Sequence, residues 1–285
     1  MRWFNNISDC LWEEKRRMEN KYKTILFTYI PILVIIVLTL IPIYLMIKIA
    51  FSDPGTFLNQ NEFQFTLEHF KSIFTSGNIW QPLRKSFFVS ILVALCTVLI
   101  ATPGAYVLAK IPGKFGYAFL LGIFFTRMFP EVGIALPIAV NFINLGLYDT
   151  DIGLVLAHLI RVLPLATWIL IGTFKAIPAV LEESGQIDGC TKTQILLKIV
   201  FPLAKPGIIV GLIFAFLNSW DEFTYATYLS LQNKTLPLTV FYYVNRGGWF
   251  LSSTYGLVIT IPVVIFTYYF QRYMQSGQLA GAVKG

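Results

Sequence analysis

ILFTYIPILVIIVLTLIPIYLMI, residues 25–47, carries no charged side chain in 23 consecutive positions. As a helix rising about 1.5 Å per residue it spans roughly 35 Å, enough to cross a hydrocarbon core of about 30 Å with some tilt. Residues 1–23 ahead of it are polar and basic. The apolar run is longer than the core of a cleavable leader and no small-residue cleavage pattern follows, so it reads as a first membrane span.

The rest of the chain extends this reading. Of 285 residues, 56% are hydrophobic and only 13% charged, about half the charge of an average soluble domain. Further uncharged stretches occur at Ser86 to Ala109 and Ile152 to Phe174. Phe115 to Ile138 is interrupted only by Arg127 and Glu131, and Pro206 to Leu229 only by Asp221 and Glu222, with a last stretch from Leu251 to Phe270. The expected fold is all-α, a polytopic membrane protein of six transmembrane helices. Its parts are an N-terminal extension (1–23), a six-helix domain (24–271) with a polar loop at 175–205, and a C-terminal tail (272–285). Prolines at 31, 42, 103, 130, 137, 164 and 262 are expected to bend these helices.

Orientation follows from the basic residues. With both termini inside, fourteen Lys and Arg fall in cytoplasmic segments and five (Lys71, Arg84, Lys85, Lys234, Arg246) in outer ones, the bias of a cell-membrane protein with cytoplasmic termini. The same rule accounts for the net charge of +7, so nucleic acid is not needed to explain it. Cys10, Cys96 and Cys190 form no disulfide framework. With only His69 and His158 as histidines, no metal-binding spacing occurs, and there is no GxxxxGK[ST] phosphate loop or catalytic constellation. The chain reads as neither an enzyme nor a holder of a metal or cofactor.

The most informative stretch is AIPAVLEESGQIDGCTKTQILLKIVFPLAKP, residues 176–206. Pro178 suits a first helical position, and Asp188-Gly189 is a turn that ends a first helix. Thr191 to Gln194 is a capping box opening a second, which Pro202 is expected to stop. Such an elbow beneath a membrane bundle suits docking to a cytoplasmic partner.

The elbow resembles the EAA loop of ABC importer permeases: Glu-Ala-Ala, three residues, Gly, nine residues, Ile-x-Leu-Pro. Here Glu183-Ser184-Gly185 is followed after three residues by Gly189 and after nine more by Ile199-Val200-Phe201-Pro202. Within that superfamily the chain is similar to maltose-type carbohydrate permeases. The similarity rests on Phe65-Thr66-Leu67-Glu68-His69-Phe70, on Leu145-Gly146-Leu147-Tyr148-Asp149-Thr150, on Leu236-Pro237 and on Ser219-Trp220-Asp221-Glu222-Phe223. The ending Gly281-Ala282-Val283-Lys284-Gly285 is also shared in kind. Lys85 departs from the Asn common there, and residues 1–20 match nothing in the family.

The resemblance implies a transport subunit in a bacterial or archaeal inner membrane. A second homologous permease, a cytoplasmic ATPase dimer and an extracytoplasmic sugar-binding protein complete the machine, and ATP hydrolysis belongs to the separate ATPase chain. It also implies that Glu182, Glu183, Ser184, Gly185, Asp188, Gly189, Ile199 and Pro202 couple to the ATPase, with Glu182 and Glu183 meeting its basic residues.

Ionisable side chains in a bilayer centre cost on the order of 2.5 to 3.5 kcal/mol each on insertion scales, so those in spans need partners or water. Arg127 and Glu131, four apart, are expected to pair, with Arg161 as counter-ion to Asp221 and Glu222. Purely structural neutralisation is one reading. The other is a polar substrate pathway in which these groups join His158, Asn218, Trp220 and Tyr225, hydrogen bonds and an aromatic face suiting a sugar. His158 alone reads as a packing residue. A polyamine or peptide permease and a proton-coupled secondary transporter are the alternatives, and the latter leaves the EAA spacing unexplained.

Overall fold

The computed structural model describes residues 25–60, 63–76, 79–246 and 248–282; the expectations for residues 1–23 and for Cys10 lie outside them. The described residues are helical throughout, with no strand beyond one isolated bridge between Ser52 and Phe65. The chain divides into two compact units, residues 1–66 and 67–285.

In the first unit a wide π turn, Ile25–Tyr29, leads into α1, Ile30–Ala50, and α2 follows at Pro54–Gln60. The side chains of α1 are apolar on every face, as a lipid-facing helix requires. The chain then doubles back. Asp53 N–H donates to Gln64 O at 2.9 Å, Thr66 N–H to Phe51 O at 2.8 Å, and the Phe51 and Phe65 rings stack at 5.5 Å.

The second unit opens with α3, Glu68–Thr75, and α4, Trp80–Lys110. After a turn at Gly113 (φ +74) come α5, Lys114–Phe125, a 3-10 turn at Thr126–Met128, and α6, Glu131–Asn144. α7 is Asp151–Lys175, started by Thr150, whose hydroxyl accepts from Gly153 N–H. Then follow α8, Ala179–Ile187, the single turn α9, Lys192–Ile195, a π turn at Leu196–Val200, and α10, Phe201–Trp220. α11, Thr224–Leu229, α12, Leu236–Val244, and α13, Trp249–Ala282, complete the chain.

α4, α7 and α10 pack on one another, α12 and α10 on α13, and α11 on α6. Small residues permit the close approach. A Cβ on Gly207 of α10 would stand 2.1 Å from Thr173 Oγ1 of α7, so the backbones there meet at a distance only glycine allows. Ala94, Ala101, Ala105, Ala157, Ala166, Ala204 and Ala215 are buried along the same contacts.

Five helices are long and apolar enough to cross a membrane, and they become six if the bent pair Ala118–Met128 and Glu131–Asn144 is one span. Four sequence expectations need correction. The third span is not one helix: Ala118–Met128 and Glu131–Asn144 meet at 87°, because Phe129 is extended ahead of Pro130, whose ring disfavours helix at the preceding residue. Pro202 does not stop the second elbow helix. Lys192–Trp220 runs on as one span, since the π turn ahead of Pro202 widens the backbone where the proline has no N–H to give. The fifth span also ends earlier than expected, at Trp220, and α11 is a separate short helix. Finally, α13 continues as helix to Ala282, through most of the expected tail.

Candidate functional site

Two groups of side chains stand out, one in the bundle where the third and fifth spans are broken, the other at the elbow.

At the first, Glu222 follows the end of α10. It is 1% exposed and its carboxylate accepts from Tyr225 N–H at 2.7 Å and Ala226 N–H at 3.1 Å, so it caps α11. From α7, His158 Nε2 lies 3.0 Å and Arg161 Nη1 3.9 Å from the same carboxylate. His158 is 1% exposed and its Nδ1 is 2.8 Å from Ser219 Oγ. Arg161 Nε also reaches Glu131 Oε1 at 3.3 Å. One arginine of the unbroken helix α7 thus holds the first residue of α6 and the residue that caps α11, and both breaks are tied to it.

Arg127 and Glu131 do not pair. The 87° bend between them removes the one-turn proximity that four-residue spacing gives in a continuous helix, and Glu131 turns to Arg161 instead. Asp221 is exposed at the end of α10 and has no ion pair among the described residues, so Arg161 serves Glu222 and not Asp221. Asn218 Nδ2 donates to Phe214 O at 3.0 Å within its own helix. Trp220 and Tyr225 are core residues, 1% and 2% exposed. The Trp220 indole donates to Ile259 O at 3.1 Å and its ring stacks on Phe216 at 5.8 Å. Neither ring has a free face for a sugar, because a buried indole is held where its N–H finds an acceptor. Ser219, the partner of His158, belongs to the Ser-Trp-Asp-Glu-Phe motif, but only the fold shows which helix it faces.

The elbow is built as a rigid unit. α8 ends with Gly189 at φ +78. Gly189 N–H donates to Gln186 O at 3.1 Å and Cys190 N–H to Gly185 O at 3.0 Å, the bond pair of a Schellman cap. Thr191 and Gln194 then form a reciprocal capping box. Gly185 faces the second arm: a Cβ there would come within 2.8 Å of Ile199 Cδ1 and 3.2 Å of Ile195 Cγ1. Ile199 is half-buried in that contact, while Pro202 is absorbed into the continuous helix. Pro178 caps α8 from outside, one residue earlier than read from sequence. Ser184 Oγ donates to Val180 O at 2.8 Å.

Glu182 and Glu183 divide. Glu182 is buried and accepts from Lys110 Nζ and from Tyr106 Oη, the latter at 3.0 Å, so it is engaged by its own chain at the end of α4. Glu183 and Asp188 are exposed, as is Ile187 at 87%. Tyr106 and Lys110, spaced four apart, were not anticipated; their i,i+4 placement at a span end was the available signal.

Residues 101–278, holding both groups, match the family described as "Binding-protein-dependent transport system inner membrane component". The diacetylchitobiose uptake system permease protein DasC of Streptomyces coelicolor is 29% identical over 86% of this chain and 91% of its own. The trehalose/maltose transport system permease protein MalG of Thermococcus litoralis is 29% identical over 87% and 93%. A crystal structure of a bacterial ABC transporter involved in the import of the acidic polysaccharide alginate shares the fold at a TM-score of 0.71 and 20% identity, over 88% of this chain and 97% of that one. With well over half of its length in the match, the chain belongs to the family of binding-protein-dependent transport system inner membrane components.

Proposed function

We propose that this chain is the permease subunit of an ATP-driven importer of a sugar or oligosaccharide. It forms half of the pathway beside a second homologous permease, receives solute from an extracytoplasmic binding protein, and is driven by a separate cytoplasmic ATPase dimer through the elbow at 175–205. Both termini face the cytoplasm in this reading. The sugar class rests on the relatives named for diacetylchitobiose and for trehalose and maltose.

The observation that carries the coupling role is mechanical. The second arm of the elbow is continuous with a 29-residue span, Lys192–Trp220, and the first arm is fastened to the end of α4 by Glu182 with Lys110 and Tyr106. A displacement of the elbow therefore moves two spans of the bundle without being absorbed by a loose loop, as alternating access between two states requires. Glu183, Asp188 and Ile187 supply charge and apolar surface for the ATPase to grip.

The test is coupled transport in reconstituted vesicles holding the whole transporter. Gly189→Ala places a Cβ on a residue at φ +78, a backbone state L side chains disfavour by about 1 kcal/mol or more, and Glu183→Lys reverses an exposed charge. Both variants are expected to insert normally and to lose most solute-stimulated ATP hydrolysis. Wild-type coupling in both would end the proposal.

A further inference from the structure

The polar junction holds two guanidiniums and two carboxylates but pairs only three of the four. Glu222 is sealed, and besides Arg161 it keeps His158 and two backbone N–H groups. Glu131 is the accessible member, its side chain 35% exposed, and its 3.3 Å approach to Arg161 Nε is made without a hydrogen bond from that atom. Arg127, in the Thr126–Met128 turn, is half-buried and has no ion pair among the described residues. All four charges act on the Tyr225 hydroxyl, so Arg127 belongs to the same neighbourhood.

The backbone between Arg127 and Glu131 is poised to change. The break consists of Phe129 (φ −77, ψ 138) and Pro130 (φ −57, ψ 128). Both φ angles already lie near those of an α-helix, and only the two ψ angles, about −40° in a helix, are extended. Met128, Phe129 and Pro130 are exposed, so no core packing wedges the break open. Turning two ψ angles joins α5 to α6, and in the joined helix Arg127 and Glu131 stand one turn apart, within ion-pair reach. The bent form leaves Arg127 without a carboxylate. The straight form gives each guanidinium its own, Arg127 with Glu131 and Arg161 with Glu222. Against it stands Pro130, which as a helical residue leaves Thr126 O without its donor. Opposing terms of this kind make a two-state element, not a fixed kink.

We propose that Glu131 is a switched partner, bound to Arg161 when the third span is bent and to Arg127 when it straightens, and that this exchange steps the bundle between its two transport states. This rests on the importer reading and names the residues that latch its states. α6 packs on α11, and Glu222 caps α11. A swing of α6 is therefore passed to the helix that follows the fifth span, whose other end lies in the elbow.

The experiment uses the whole transporter, purified through a tag on this chain so that its partners accompany it. Cys10, Cys96 and Cys190 are replaced by serine, and spin labels are placed at Phe119→Cys and Val140→Cys, both exposed and on opposite sides of the break. At about 1.5 Å per residue the two label sites stand roughly 22 Å apart across a right angle and roughly 31 Å apart in a straight span. Pulsed electron paramagnetic resonance is expected to show both spacings, their ratio shifting at least threefold between nucleotide-free protein and protein arrested with ATP and vanadate. Arg127→Gln is expected to remove the longer spacing and to slow ATP hydrolysis tenfold or more, and Arg127→Lys to keep both spacings. Arg127→Glu with Glu131→Arg turns the attraction to Arg161 into repulsion while preserving a pair along the helix, so the longer spacing is expected to dominate even without nucleotide. Should the Gln variant fail to assemble, this swap decides the matter. A single spacing in every state, or a longer one that survives Arg127→Gln, would overturn the exchange and leave the importer reading standing. Wild-type preparations that hydrolyse no ATP would take down both.

Discussion

Glu222 has no route to solvent, so its charge is held entirely by His158, Arg161 and two backbone N–H groups. Glu222→Ala removes the acceptor for both N–H groups at once and strands a cation. A buried donor left unmade costs about 1 to 3 kcal/mol, so a drop of several degrees in the thermal midpoint of the purified transporter is expected, with Glu222→Gln intermediate because its carbonyl keeps one acceptor. A midpoint unmoved by Ala would mean that water or the second subunit satisfies these groups. At this scale the sequence was partly legible. Residue types in a span announce that a charge must be compensated, and Arg161 with Glu222 could be matched from span order alone. The sequence mispaired Glu131 and Asp221 because pairing depends on where a helix breaks and which way its last residues turn, and neither is a matter of spacing.

At the scale of elements, hydropathy located the five helices long enough to cross a membrane and the bent pair that makes a sixth if it is one span, since the cost of apolar side chains in water is local to each segment. It did not foresee that the third crossing bends by 87° or that the fifth begins inside the elbow. Both depend on proline context. Phe129 ahead of Pro130 becomes extended, whereas the π turn ahead of Pro202 lets the helix pass. Helix contact yields a prediction of its own. Gly207→Ala drives a methyl group into Thr173, with Oγ1, Cγ2 and Cβ all within 2.7 Å. Overpacking of this kind costs about 1 to 3 kcal/mol, to be read as lost thermal stability of the purified protein. Thr173→Ala in the same chain should return part of it, since two of the three clashing atoms go. A second concerns the fastening of the elbow to α4. Lys110→Glu puts two acids together and should depress coupling of ATP hydrolysis to transport, and Lys110→Glu with Glu182→Lys should restore much of it. Failure of the double variant to recover would assign the loss to Tyr106 or to folding instead of the ion pair.

For the whole molecule, everything mechanical depends on which side of the membrane the elbow occupies. The charge bias of fourteen against five favours a cytoplasmic elbow, yet Arg84 and Lys85 sit at the opposite end of the same span as Lys110. Lys85 lessens the conflict. It is buried, donates to Ser230 Oγ at 2.8 Å and lies 3.6 Å from Asp151 Oδ1, so it is largely neutralised within the fold and weighs little in a count of free positive charge. The orientation can be read directly. With Cys10, Cys96 and Cys190 replaced by serine, single cysteines are introduced at Asp188 in the elbow and at Gln232 in the loop after α11, both exposed. A membrane-impermeant maleimide should label Gln232→Cys in intact cells and Asp188→Cys only after the membrane is opened. The reverse pattern would put the elbow outside, beyond the reach of any cytoplasmic ATPase, and the coupling proposal would fail whatever its internal geometry.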